Sequence, residues 1–279
     1  MSMSTENVVV WSIKHNSYVL AGLIILCFFV GVALLGLVYL PHNPLESVGP
    51  DYAPPSLRFP FGTTNIGQDV FSQWIYGARS TLIVGFLAGF ITIVIGLAIG
   101  IVAGFINLMD EPLMRLTDVF LAMPTLPLLI AIAEFVRPSI FSVSILIAVL
   151  IGWPGTARVV RSSVLSLKTQ PYIEVARLSG VPSNQIMFKD IVKHILPLSL
   201  TYALFSVIAA VLTEASLDFI GVGPSTDYSW GAQIALANQA NAVLFGAWWW
   251  FLIPGLSIAV FSTGIALLAY GLESVFKEA

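Results

Sequence analysis

Six apolar runs dominate the chain, at residues 18–40, 80–107, 113–135, 139–157, 198–221 and 247–271. Each is long enough to cross about 30 Å of hydrocarbon as a helix. In lipid, every backbone N–H and C=O must find its partner within the segment, and at this length that means helices. The composition agrees. Of 279 residues, 57% are hydrophobic and 10% charged, against about 25% charged in a soluble domain. The mean hydropathy is +0.92. The expected fold class is an all-α polytopic membrane protein with six transmembrane helices. The first run is longer than a signal-peptide core and has no small-x-small cleavage site, so it reads as a retained span. The expected organisation is a short N-terminal segment (1–17), the first span (18–40), a Pro-rich loop with an interfacial helix (41–79) and a core of five further helices (80–279).

The basic residues set the orientation. The loop 156–197 holds Arg158, Arg161, Lys168, Arg177, Lys189 and Lys193, six of the twelve in the chain. With Lys14, Arg115 and Lys277, nine lie on one side. Arg58, Arg79 and Arg137 lie on the other. Both termini and the 156–197 loop are therefore expected in the cytoplasm, and the loop 41–79 outside. The stretch DVFSQWIYGARS (69–80) reads as a short interfacial helix with Trp74 and Tyr76 at headgroup level. Asn107–Pro112 reads as a short connection with Pro112 in the first turn of the next helix, and Glu134–Pro138 as another. Residues 224–246 are polar without Lys or Arg. AWWWF (247–251) reads as an aromatic belt. Pro124 and Pro127 should kink or break the third span, and Pro254-Gly255 the sixth.

Charges within spans need a partner or water, since each costs about 2.5–3.5 kcal/mol at mid-bilayer. Asp118 lies in the third span, and Glu214 and Asp218 lie four apart on one face of the fifth. They line a translocation path or gate, or they bond a neighbouring helix; both readings stand. Gly85, Gly89, Gly96, Gly100 and Gly104 make three G-xxx-G spacings in the second span. Such a stripe lets backbones approach closely, inside the bundle or at a subunit interface. The single cysteine, Cys27, reads as a small buried hydrophobe.

Between the fourth and fifth spans lies a polar island, YIEVARLSGVPSNQIMFKDIVKHILP (172–197). Polar and apolar residues from Ser183 to Pro197 alternate with a period of 3.6, an amphipathic helix. Pro171–Ser179 forms a shorter helix that Gly180 ends in the left-handed conformation, with Pro182 two residues on. The unit is helix, sharp turn, helix, lying at or below the membrane face. It is either a surface connector or a stiff lever docked on a cytoplasmic partner.

Glu174-Val175-Ala176, Gly180 and Ile195-Leu196-Pro197 resemble the EAA signature of ABC importer permeases. Val175 departs from that signature, and the interval from Gly180 to Leu196-Pro197 is about one helical turn longer than the family's pattern. The stretches 61–85, MRLTDVFLAMP (114–124), WPGTARVVRSSVLSLK (153–168), LTEASLDFIGVG (212–223), SWGAQI (229–234) and 248–260 resemble the dipeptide/oligopeptide permease C subunits. The resemblance spans about residues 15–275. It implies a type I ABC importer permease fold whose EAA loop, about 168–197, is a cytoplasmic coupling helix seated in an ATPase cleft. Glu174, Ala176, Arg177, Gly180, Val181, Ser183, Asn184, Met187 and Phe188 would make that contact. It implies a B-type permease as heterodimer partner, two ATP-binding subunits that carry ATP and Mg, and an extracytoplasmic binding protein, in the plasma or inner membrane. Short peptides are the expected cargo. Relatives also carry oligosaccharides or nickel.

The chain has no G-x-x-x-x-G-K-[ST] phosphate loop, no H-E-x-x-H and no G-x-S-x-G. No cofactor, metal, catalytic residue or nucleic-acid partner is expected in it. The reading from another class is a self-contained secondary carrier. That would need coupling-ion residues and commonly an internal repeat. Glu214 and Asp218 are the one candidate ion site.

Overall fold

The computed structural model describes residues 16–133, 135–136, 139–223 and 228–278, the last four without side-chain detail. Lys14, Arg137, the Lys277 side chain, Glu134, Pro138 and most of the segment 1–17 lie outside the described residues. The described residues are almost wholly helical. The long helices are α1 (Ser17–Val38), α2 (Val70–Phe105), α9 (Val192–Ile220) and α11 (Trp249–Glu278). Between α2 and α9 come α3 (Asn107–Ala122), α4 (Thr125–Ala133), α5 (Ile140–Ile147), α6 (Trp153–Lys168), α7 (Pro171–Leu178) and the single turn α8 (Ser183–Gln185). The short α10 (Trp230–Gln239) precedes α11. A π-helical stretch, Ala148–Gly152, joins α5 to α6, and another, Ile186–Ile191, joins α8 to α9.

Helix α2 is the axis, and the glycine stripe explains why. The five glycines of the stripe are all buried, as is Gly77. A Cβ on Gly85 or Gly89 would lie 2.7 Å from Val211 or Val207 of α9. A Cβ on Gly100 would lie 2.6 Å from the Ala157 carbonyl oxygen of α6, and one on Gly104 2.6 Å from Val164. The stripe therefore serves packing within the chain. Its contacts also give direction. Residue numbers on α2 and α6 rise together, so the two helices are parallel, while α9 runs against them. The chain must return across the bundle between α2 and α5, and α3 with α4 makes that return. These two helices bend by 83° where they meet. Among the described residues, five helices are long and apolar enough to cross a membrane, six if the bent pair counts as one span.

Four expectations about boundaries change. The third span breaks at Met123-Pro124, as the proline predicted, but it starts at Asn107, so Pro112 sits inside a helix. The sixth span does not break, and Pro254 lies within a continuous α11. Residues 69–80 are the first turns of α2 rather than an interfacial helix. The amphipathic segment 183–197 runs on through Pro197 into the fifth span, one helical rod of 38 residues. Three side-chain expectations change as well. Trp74 is buried and stacks on Trp230 with ring centroids 6.4 Å apart. Trp249 and Trp250 are buried, leaving Trp248 exposed. Cys27 is exposed on the outside of α1.

The end where α2 begins is capped by the loop 41–69, α10 and the turn after it. Asp69 starts α2 by accepting from the Phe71 and Ser72 N–H groups at 3.2 Å. Tyr52 donates to the Ala240 carbonyl (2.8 Å) and Gln73 to that of Pro44 (3.0 Å). The Trp74 indole N–H donates to Ser257 Oγ (2.7 Å) and that of Trp230 to the Trp74 carbonyl (3.1 Å). At the opposite end, Asn16 caps α1 and donates to Ser274 Oγ of α11 at 2.9 Å. The two described chain ends therefore meet at the end away from the cap.

Candidate functional site

The elbow forms at that same end. Pro171 opens α7, where its missing N–H is no loss. The helix closes in a Schellman turn. The Val181 N–H donates to the Ala176 carbonyl (3.1 Å), and the Gly180 N–H to that of Arg177 (3.0 Å). This turn needs a left-handed residue, and Gly180 supplies it with φ +78°. Pro182 follows in extended conformation and α8 begins at Ser183. The helix, turn, helix unit expected from sequence is present.

Burial divides the elbow into an anchor and an open face. Ile173, Ile186, Ile191 and Ile195 are buried against Val160 and Val164 of α6. Ile186 and Ile191 are five apart. A π turn closes i to i+5 and keeps both on one side, at the cost of one added residue. That residue accounts for part of the long interval between Gly180 and Leu196-Pro197. On the open face, Glu174, Arg177, Gly180, Ser183, Asn184 and Phe188 are exposed, and Ala176, Val181 and Met187 are half-buried. A Cβ on Gly180 would meet nothing within 4 Å. Tyr172, Val175 and Leu178 extend this face, Leu178 at 83% exposed. Their i, i+3, i+6 spacing opposite Ile173 was the signal that could have added them to the predicted set. Partial burial, then the Asp190 carboxylate, raise the Tyr172 phenol above its ordinary value. The phenol thus stays neutral at physiological pH, with its ring 5.9 Å from that of His194.

The acidic residues separate. Asp118 does find a partner: Arg158 Nη2 donates to its Oδ1 at 2.6 Å. Arg161 binds Asp110 through both Nε and Nη2, the latter at 2.7 Å. Lys168 Nζ donates to the Gly104 and Phe105 carbonyls (3.0 and 3.1 Å) and to Asn107 Oδ1 (2.9 Å), closing the end of α2. The sequence supplied these charges but not their pairing. Glu214 and Asp218, by contrast, are 2% and 5% exposed and face inward near the cap. Ser229, the N-cap of α10, donates to Asp218 Oδ2 and accepts from the Ala232 N–H at 3.0 Å. Both side chains are enclosed by this chain's own residues, and Asp218 ties α9 to α10 through Ser229.

The sequence profile of the family described as binding-protein-dependent transport system inner membrane component matches residues 96–277. The chain belongs to that family. The match takes in the elbow and all helices from the last ten residues of α2 onward. A putative peptide transport system permease protein of Brucella abortus biovar 1 (strain 9-941) is 34% identical over 265 residues, covering 94% of this chain and 88% of that protein. The dipeptide transport system permease protein DppC of Bacillus subtilis (strain 168) is 31% identical over 265 residues, covering 94% and 82%. The di/tripeptide transport system permease protein DppC of Pseudomonas aeruginosa (strain UCBPP-PA14) is 32% identical over 273 residues, covering 94% and 88%. The permease is thus a multi-pass membrane component of a transport system, and the reading as a self-contained carrier is not favoured.

Proposed function

We propose that this permease is one of two unlike membrane subunits of an ATP-driven importer of short peptides. A B-type permease, two ATP-hydrolysing subunits and an extracytoplasmic binding protein complete it. The peptide cargo is supported by its relatives, which are peptide, dipeptide and di/tripeptide transport permeases. The concentration of Lys and Arg at the elbow end supports a cytoplasmic elbow and cytoplasmic termini. The single observation that carries the coupling role is the elbow itself. Four buried isoleucines fix it to α6, while Tyr172, Val175, Leu178 and Phe188 stand exposed beside Glu174 and Arg177. An apolar face rimmed by charge is what a protein partner covers. ATP and Mg belong to the partner ATPases, and this chain contributes the lever that their closure moves.

Gly180→Trp tests this. A Cβ there meets nothing within 4 Å, so apart from the left-handed backbone the bulk should fall on whatever docks there. With the full complex in vesicles, ATP hydrolysis should persist while uptake is lost. Glu174→Lys should act in the same direction. Unchanged ATP-driven uptake in both variants would remove the coupling role.

A further inference from the structure

The ion pairs at the elbow end form a ladder that runs inward. Arg115 and Glu111 pair at 3.5 Å near the start of α3, and Arg161 and Asp110 join α6 to α3. Asp118 and Arg158 lie deepest. Arg158 stands ten residues before Lys168, about 15 Å into the helix. Both side chains are half-exposed, 53% and 54%. Charges at such depth do not face lipid, so this side of the permease looks onto water or another protein. A recess of about 270 Å³, lined by Asp110, Glu111, Met114, Arg115, Asp118 and Arg161, opens here. Along α6, Gly155, Ser162 and Ser166 are exposed on the same face as Arg158, small residues that leave room.

We propose that Asp118 and Arg158 form a charge-neutralised wall of the peptide path, which lets acidic and basic peptides pass alike. This rests on the peptide-import reading above. A low-dielectric passage lined by one sign of charge focuses its field and holds the opposite charge. Transport requires release as well as binding. Paired at 2.6 Å, the two carry no net charge, and at several times that separation only a weak dipole field remains. The two outer pairs do the same, so the six charges present no net charge to the passing peptide. The wall stays polar without selecting by charge, which leaves selection to whatever delivers the peptide.

The test uses the complete complex in vesicles, with its binding protein saturated by tripeptides bearing a central alanine, glutamate or lysine. Each rate is referred to the wild-type rate for the same peptide. Asp118→Asn leaves Arg158 unopposed and should slow the glutamate peptide relative to the lysine peptide by about threefold or more. Arg158→Gln should reverse that order. The double variant should bring the three relative rates back together. Equal slowing of all three peptides in both single variants, with no dependence on charge, overturns the inference and leaves a structural ion pair. Failure of the wild-type complex to import the alanine peptide with ATP overturns the import reading, and this inference with it.

Discussion

The two ends of the permease are built to opposite rules. At the capped end most buried polar groups bond within the chain, although Gln73 Oε1, Gln233 Oε1 and Trp250 Nε1 find no hydrogen-bond partner among the described residues. Trp74, Trp230, Gln73 and Asp69 are buried and hydrogen-bonded to residues at least 27 positions away. Its protruding apolar residues are scattered, with Leu45, Leu57 and Ile66 on the loop 41–69 and Val243, Leu244 and Phe245 on one turn. At the elbow end, apolar side chains of α7 and Phe188 of the π-helical stretch face outward, and the backbone bonds that shape the turn are local. The capped end is held by contacts between distant parts of the chain. In the function proposed above the elbow end is half of an interface, anchored on its inner side by Ile173, Ile186 and Ile191.

Substitutions can break that contrast or sharpen it. The largest effect should come from the axis that serves both ends. Gly100→Leu forces a side chain onto the Ala157 carbonyl, 2.6 Å away at Cβ. It should cost about 3 kcal/mol or more, seen as loss of monodisperse protein on purification. Next, Ile173→Ala empties a buried site and should cost about 2–5 kcal/mol locally. Hydrogen exchange over residues 171–191 should quicken while the cap stays protected. Leu178→Ala, on the open face, should leave that exchange unchanged and weaken ATPase binding by about tenfold, as a buried anchor of an interface would. If Leu178→Ala instead loosens the permease alone, the contrast between the ends is lost. Gly180→Ala places a side chain in a left-handed residue and should cost about 1–2 kcal/mol, read as faster exchange in the turn. The smallest effect belongs to the cap. Trp74→Phe removes the indole bond to Ser257, whose hydroxyl still donates to Ile253, and should cost about 1 kcal/mol, a small drop in melting temperature.

Much of this was legible in one dimension. Proline chemistry marked the break at Pro124, because a missing N–H and a ring clash act locally. The same rule misjudged Pro254, where a neighbour-supported helix continues with one bond fewer. Glycine and proline placed the elbow's turn, because a left-handed residue is a property of one position. Aromatic residues misled: Trp74, Trp249 and Trp250 resemble a membrane belt in sequence, yet cross-chain packing buries them. The helix Trp230–Gln239 was missed because its support comes from Thr81, Gln73 and Trp74 of α2, far away in sequence.

The sequence by itself determined that the chain crosses a membrane as helices and that a charged elbow interrupts them. Hydropathy, charge and turn chemistry are sums over neighbouring residues. Only the tertiary structure decided that the glycine stripe packs inward, that Glu214 and Asp218 are enclosed, and that Asp118 meets Arg158. Those facts depend on which helix lies beside which, and that is fixed by close packing between segments far apart in sequence, such as those of Trp230 and Thr81, 149 residues apart.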